Sequence, residues 1–100
     1  MITRTAIITH PTITFSSKED FESQYAATHR YAEFGALRES MESRPAEKSW
    51  NNELQEYTII TYFPTIEVHN EFYYRALAEE QKTSIASFNY EYKLKSIQVS

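Results

Sequence analysis

Cysteine is absent from this chain of 100 residues, and with it go disulfides, thiolate nucleophiles and thiolate metal sites. A cytoplasmic setting fits that absence. Glycine occurs once, at Gly35, so neither a GxxxxGK phosphate loop nor a dinucleotide-binding glycine pattern can be built, and no cofactor is expected. No apolar run reaches membrane-spanning length, and the opening MITRTAIITHPTITF is too interrupted by Thr, His and Pro to read as a signal peptide. A formal net charge of -4 gives no attraction to phosphate backbones or anionic lipid, so neither nucleic acid nor membrane is an expected partner.

What is present describes an ordinary globular chain, with 41% hydrophobic and 24% charged residues. One α+β domain over residues 1–100 is expected, and a chain this small gains burial by self-association. From Thr3 to Phe15 threonine and isoleucine dominate, which predicts a strand. Pro11 cannot donate to a ladder and belongs at a bulge or at the strand's end. FSSKED predicts a helix start, with Ser16 accepting from an early backbone N–H and Glu19 reaching back. That helix carries Phe21, Tyr25, Thr28 and Ala32 on one face and should stop at Gly35 as a left-handed cap.

ALRESMESR suits a helix or a strand, and the cost of about 1 kcal/mol for running a helix through glycine puts strand first. PAEKSWNN has the punctuation of a loop. ELQEYTIITYF alternates as a strand closed by Pro64. Thr65 then caps a second helix through Gln81, with Val68, Phe72 and Ala76 on one face and Tyr73 and Leu77 beside them. Finally SIASFNYEYKLKSIQVS alternates as a long terminal strand, with Phe88, Tyr90, Tyr92 and Leu94 facing one way.

The order βαββαβ is that of a ferredoxin-like domain, a four-stranded antiparallel sheet with two helices on one face. The central strands read as apolar on both sides: Tyr57, Ile59 and Phe63 oppose Ile60 and Tyr62, while Ala6 and Ile8 oppose Ile7. The bare face therefore needs a cover, which is a partner copy, a small ligand or a different protein. A second copy is simplest, because a twofold axis lets one patch satisfy itself. A homodimer packed sheet to sheet is expected.

In FESQYAATH, the residues Phe21, Tyr25 and His29 lie in a helix directly after the first strand. They resemble the Phe, Tyr or Trp, then His pattern in that helix of EthD-like members of the dimeric α+β barrel superfamily, and the element order is similar to that superfamily's. The resemblance implies a cleft between sheet and helices for a small hydrophobic or aromatic molecule, with Phe21, Tyr25 and His29 as ligand-binding residues. It also implies His29 and Tyr25 as catalytic candidates for cofactor-independent oxygenase or isomerase-type chemistry; some members degrade haem, and many have no known activity, so whether the chain is an enzyme stays open. From the residues alone, Phe21 and Tyr25 read first as core, with His29 a partly exposed helical residue. The rival function is a non-enzymatic homodimeric interaction module with a tyrosine-rich surface.

Taking the first and third strands as parallel neighbours places His10 and His69 toward one sheet end and His29 toward the other. A three-histidine metal site is thereby disfavoured, no metal is expected, and His10 and His69 read as solvated surface residues. If 36–44 is a strand, Glu39 shares the face of Leu37 and Met41, either as a general base or, preferred, as the inward charge of an edge strand. Tyr57, Tyr62, Tyr73, Tyr74, Tyr90 and Tyr92 suit interfaces and pockets alike. Trp50, in the expected loop, is an anchor, a lid or a packing residue.

Overall fold

β1 spans Ile2–Thr9 and stops just before His10 and Pro11, as a proline lacking an N–H requires. The computed structural model describes residues 1–28, 31–76 and 93–100, and His29 lies outside them. Helix α1 spans Lys18–Thr28. Its cap is shifted from the expected Ser16 and Glu19 to their neighbours. Ser17 Oγ accepts the Asp20 N–H at 3.1 Å, and the Asp20 carboxylate accepts the Ser16 N–H at 2.9 Å. That backbone bond, with the Gln24 amide, holds the Asp20 carboxyl below its ordinary value.

Helix α2 spans Tyr31–Met41, so the strand expected over 36–44 is a helix up to Met41. Gly35 is neither a terminator nor in a left-handed conformation. A single penalty of about 1 kcal/mol is outweighed by the helix's other residues, among them Arg38, which is buried and pairs with Glu42 one turn on. A Cβ built at Gly35 meets nothing within 4 Å. Gly35→Ala should therefore stabilise the fold by about 1 kcal/mol, a rise of roughly 4–8 °C in the thermal midpoint; an unchanged or lower midpoint in a circular-dichroism melt would contradict the helix.

Strand β2 spans Arg44–Asn51, where a loop is expected from PAEKSWNN. β2 is an edge strand, and an edge tolerates proline and charge because only one side of its ladder is paired. β3 spans Glu56–Phe63, as the alternation of EYTIITYF requires. In the connection between them Gln55 takes a left-handed φ of 54°. Its carboxamide accepts the Phe15 N–H at 2.8 Å and donates to the Phe15 carbonyl at 3.2 Å. The side chain thus acts as a strand partner and ties the segment before α1 to the sheet end.

Helix α3 spans Ile66–Asn70, and the Thr65 side chain caps it by accepting the Val68 N–H at 3.3 Å. A π-helical segment, Glu71–Ala76, continues it; the expected extension to Gln81 lies outside the described residues. β4 spans Lys93–Val99, and the earlier part of the expected terminal strand, with Tyr90 and Tyr92, likewise lies outside.

The chain is an α+β fold with an open four-stranded sheet in the order β2-β3-β1-β4, every neighbouring pair antiparallel. Ile2 pairs with Phe63 and Ile8 with Tyr57, so β1 ends where β3 begins. The parallel pairing expected of these strands is corrected, and His10 and His69 sit at opposite sheet ends.

Tyr57, Ile59, Thr61 and Phe63 are buried on one face of β3. Their β1 neighbours Ile8, Ala6 and Arg4 are buried with them. Phe21 and Tyr25 of α1 join Ile8, Tyr57 and Ile59 in the main core, and His69 and Phe72 pack beside Phe63 on that same face. The opposite face presents Thr3, Thr5, Ile7 and Thr9 beside Thr58, Ile60 and Tyr62, all half-buried. Its two isoleucines lie among threonines, so the face is mixed rather than continuously apolar.

Candidate functional site

Phe21 and Tyr25 sit on the inward stripe of α1, where a spacing of four brings both rings onto the sheet. Phe21 has 0% of its surface exposed. It stacks on Tyr57 at 4.6 Å and Tyr25 at 5.6 Å, meets Phe15 edge-on at 4.9 Å, and touches Trp50 at 5.1 Å between ring centroids. The Tyr57 hydroxyl donates to the Glu22 carboxylate, which gives a buried phenol its partner. The structure thus brings Phe21 and Tyr25 together as packing residues.

Two other expectations change with the elements that carry them. Trp50 lies on β2, half-buried against the core, with its indole N–H donating to Asn52 Oδ1 at 3.2 Å. Glu39 is exposed on α2, so it has no strand face to share with Leu37 and Met41.

His69 is not a surface residue: it is 1% exposed. Arg4 of β1 approaches His69 Nε2 at 3.3 Å, and a guanidinium can only donate. Nε2 therefore accepts, which leaves the ring proton on Nδ1 to donate to Asn70 Oδ1 at 2.9 Å. The Arg4 guanidinium lies 3.7 Å from the Tyr73 ring centroid, a cation–π contact, while the Tyr73 hydroxyl is 3.5 Å from Thr61 Oγ1. This cluster fastens α3 and the π-helical segment to β1 and β3. Two sequence signals point to it: Arg4 shares the inward phase of its strand with Ala6 and Ile8, and His69, Phe72 and Tyr73 have helical spacing.

His10 has a local role. Its Nδ1 accepts the N–H groups of Thr12 and Ile13 at 3.2 and 3.0 Å, which shapes the turn after β1.

Among the described residues no helix packs on the opposite face, the one that presents Ile7, Ile60 and Tyr62, and that face carries a polar network at one corner. Arg44 pairs with Glu47 at 2.5 Å and lies 4.1 Å from the Tyr62 ring centroid, and the Tyr62 hydroxyl donates to Glu47 at 3.0 Å. That bond to a carboxylate pushes the Tyr62 phenol above its ordinary value. Across the sheet, Lys95 of β4 reaches over β1 to pair with Glu56 of β3. Between these pairs lie Thr5, Ile7, Thr58 and Ile60, cross-strand neighbours in register. The face can form hydrogen bonds and close apolar contact, which suits recognition of another surface.

Among the described residues no group of three or more His, Cys, Asp or Glu is placed to hold a metal ion, and no helix is long and apolar enough to cross a membrane. Comparison with protein-family models, curated proteins and solved structures finds no match in any of the three.

Proposed function

We propose that this domain has ferredoxin-like topology and works as a homodimeric interaction module, burying the sheet face that presents Ile7, Ile60 and Tyr62 against a second copy. The single observation that carries the reading is the division of the sheet, with helices on one face and a half-buried Ile7, Ile60 and Tyr62 on the other. The edges support it by exclusion. β2 carries Pro45, exposed Lys48 and a break in register between Arg44 and Glu47, and β4 carries exposed Lys95 beside a second break opposite Ile7 and Ile8. Lysine, proline and bulges at an edge oppose edge-to-edge pairing, so association through the face is favoured.

Strands about 4.8 Å apart with a rise of about 3.4 Å per residue give the face roughly 500 Å² in projection. That is near the small end of specific interfaces, roughly 600–1,000 Å² per partner. Mixed composition is normal for interfaces between separately folded partners. The dimer is therefore reversible. The small-ligand reading, with Tyr25 and His29 as catalytic candidates, requires open space at Phe21 and Tyr25, and their close ring contacts favour the interaction reading.

Ile60→Lys tests the face directly. Lysine at the centre of a twofold interface brings like charges together, while its stem can lie along the sheet of a monomer. The variant should sediment as a monomer with a melt close to that of the wild-type monomer, and Glu19→Lys, on α1, should associate as the wild type does. Undiminished association of the lysine variant would place the interface elsewhere.

A further inference from the structure

The face that meets a second copy carries a pattern that selects one seating for it. In register, Ile60 lies opposite Thr5 and Ile7 opposite Thr58. The two isoleucines therefore occupy one diagonal of a four-residue square and the two threonines the other. The isoleucine diagonal runs outward to charge at both ends. Beyond Ile60, its β2 neighbour Glu47 holds Arg44 and the Tyr62 hydroxyl. Beyond Ile7, the Lys95 side chain crosses β1 to reach Glu56. Away from that diagonal the face carries uncharged polar residues, with Ser49 beside Thr58, Ser96 beside Ile7 and Gln98 beside Thr5.

A twofold axis relating two sheets face to face lies in the plane between them. Drawn through the centre of the square, along the strands or across them, it sets each isoleucine on a threonine of the partner. An axis along the isoleucine diagonal sets each isoleucine on its own copy, but it also sets Arg44 on its own copy, a like-charge contact. An axis perpendicular to that diagonal sets Ile60 on the partner's Ile7 and each threonine close to its own copy, where a hydroxyl can both donate and accept. With strands about 4.8 Å apart and a rise of about 3.4 Å per residue, the strands of the two sheets then cross at roughly 70°, near the orthogonal class of sheet packing. In this arrangement Glu47 falls over the place where the partner's Lys95 crosses β1. Arg44, turned back over Tyr62, falls outside that contact. The Glu47 and Lys95 side chains are 53% and 56% exposed. A carboxylate accepts and an ammonium donates more than one hydrogen bond, so their internal pairs leave each able to bond across the interface.

We propose that the second copy is seated with its sheet crossed in this way, Ile60 of each protomer against the partner's Ile7 and Glu47 of each against the partner's Lys95. This seating rests on self-association through the same face, as proposed above, and specifies which residues meet there. Because the axis is twofold, each contact occurs twice, so a change at one residue is felt at two places.

Charge exchange followed by sedimentation tests it. Glu47→Lys alone turns both cross-contacts into lysine facing lysine, and Lys95→Glu alone turns both into glutamate facing glutamate. Each variant alone should dimerise about tenfold more weakly than the wild type, and an equimolar mixture should recover wild-type affinity, because opposite charges then face each other at both contacts. Both substitutions alter exposed side chains, and a circular-dichroism melt checks that each variant is folded. The chain has no cysteine, so Ile7→Cys and Ile60→Cys, bridged by a short bis-maleimide, report the isoleucine contact separately; their mixture should cross-link faster than either variant alone. A charge-exchanged mixture that associates no better than its components, or cross-linking that is fastest within a single cysteine variant, would overturn the seating while leaving the dimer in place. A monomeric wild type would overturn both.

Discussion

Phe21→Ala is expected to destabilise the fold by about 3–5 kcal/mol, the cost of deleting a fully buried aromatic ring and leaving a cavity. Domains of this kind have roughly 5–15 kcal/mol in total, so the variant should melt at least about 12 °C below the wild type. The size of the effect follows from the position: Phe21 touches Phe15, Tyr25, Trp50 and Tyr57, which come from the segment before α1, from α1 itself, from β2 and from β3. Phe21→Leu retains most of the volume and should recover more than half of the loss. If Phe21 lines an open ligand cleft instead, alanine there will leave the melt nearly unchanged, and thermal unfolding by circular dichroism distinguishes the two outcomes.

The aromatic stripe was legible because it obeys a single local period. So was β3, where every second residue is buried, and so was the cap at Thr65, a side-chain acceptor placed directly after Pro64. β2 was not. Its Pro45, Glu47, Lys48 and Asn51 are poor strand formers, and they are tolerated because the strand lies at the sheet edge. Edge position is a property of the assembled sheet, which local preference cannot report. The stretch from Ala36 to Met41 is illegible for a related reason. The local glycine penalty favours a strand, and the Arg38–Glu42 ion pair that offsets it exists only once the helix has formed.

The buried Arg4–His69 contact shows the same limit. Arg4 and His69 are 65 positions apart, and only antiparallel pairing of β1 with β3 brings the start of one beside the end of the other. Parallel pairing would set His69 beside His10 at the surface, and antiparallel pairing sets it beside Arg4 in the interior. The FESQYAATH resemblance supplied Phe21 and Tyr25, both of which the structure places in the core; His29 lies outside the described residues.

Arg4→Ala should be the second large loss, about 3 kcal/mol or more. It removes a desolvated cation–π contact of about 2 kcal/mol with Tyr73 and leaves His69 Nε2 without its donor, a further cost of about 1–3 kcal/mol. Arg4→Met fills much of the same space with apolar atoms and should cost less than the alanine variant, since a buried charge contributes less than its partners suggest when volume is conserved. Urea midpoints of the two variants measure the difference. Equal losses would mean that filling the volume at Arg4 contributes nothing and that its contacts with His69 and Tyr73 carry the whole effect.

Sedimentation velocity over a wide concentration series tests self-association through the face of Ile7, Ile60 and Tyr62 most directly. The account predicts a single reversible boundary that shifts from monomer to dimer as concentration rises, and that stays at the monomer position throughout for Ile60→Lys. A wild-type chain that remains monomeric at the highest concentration reached would contradict it.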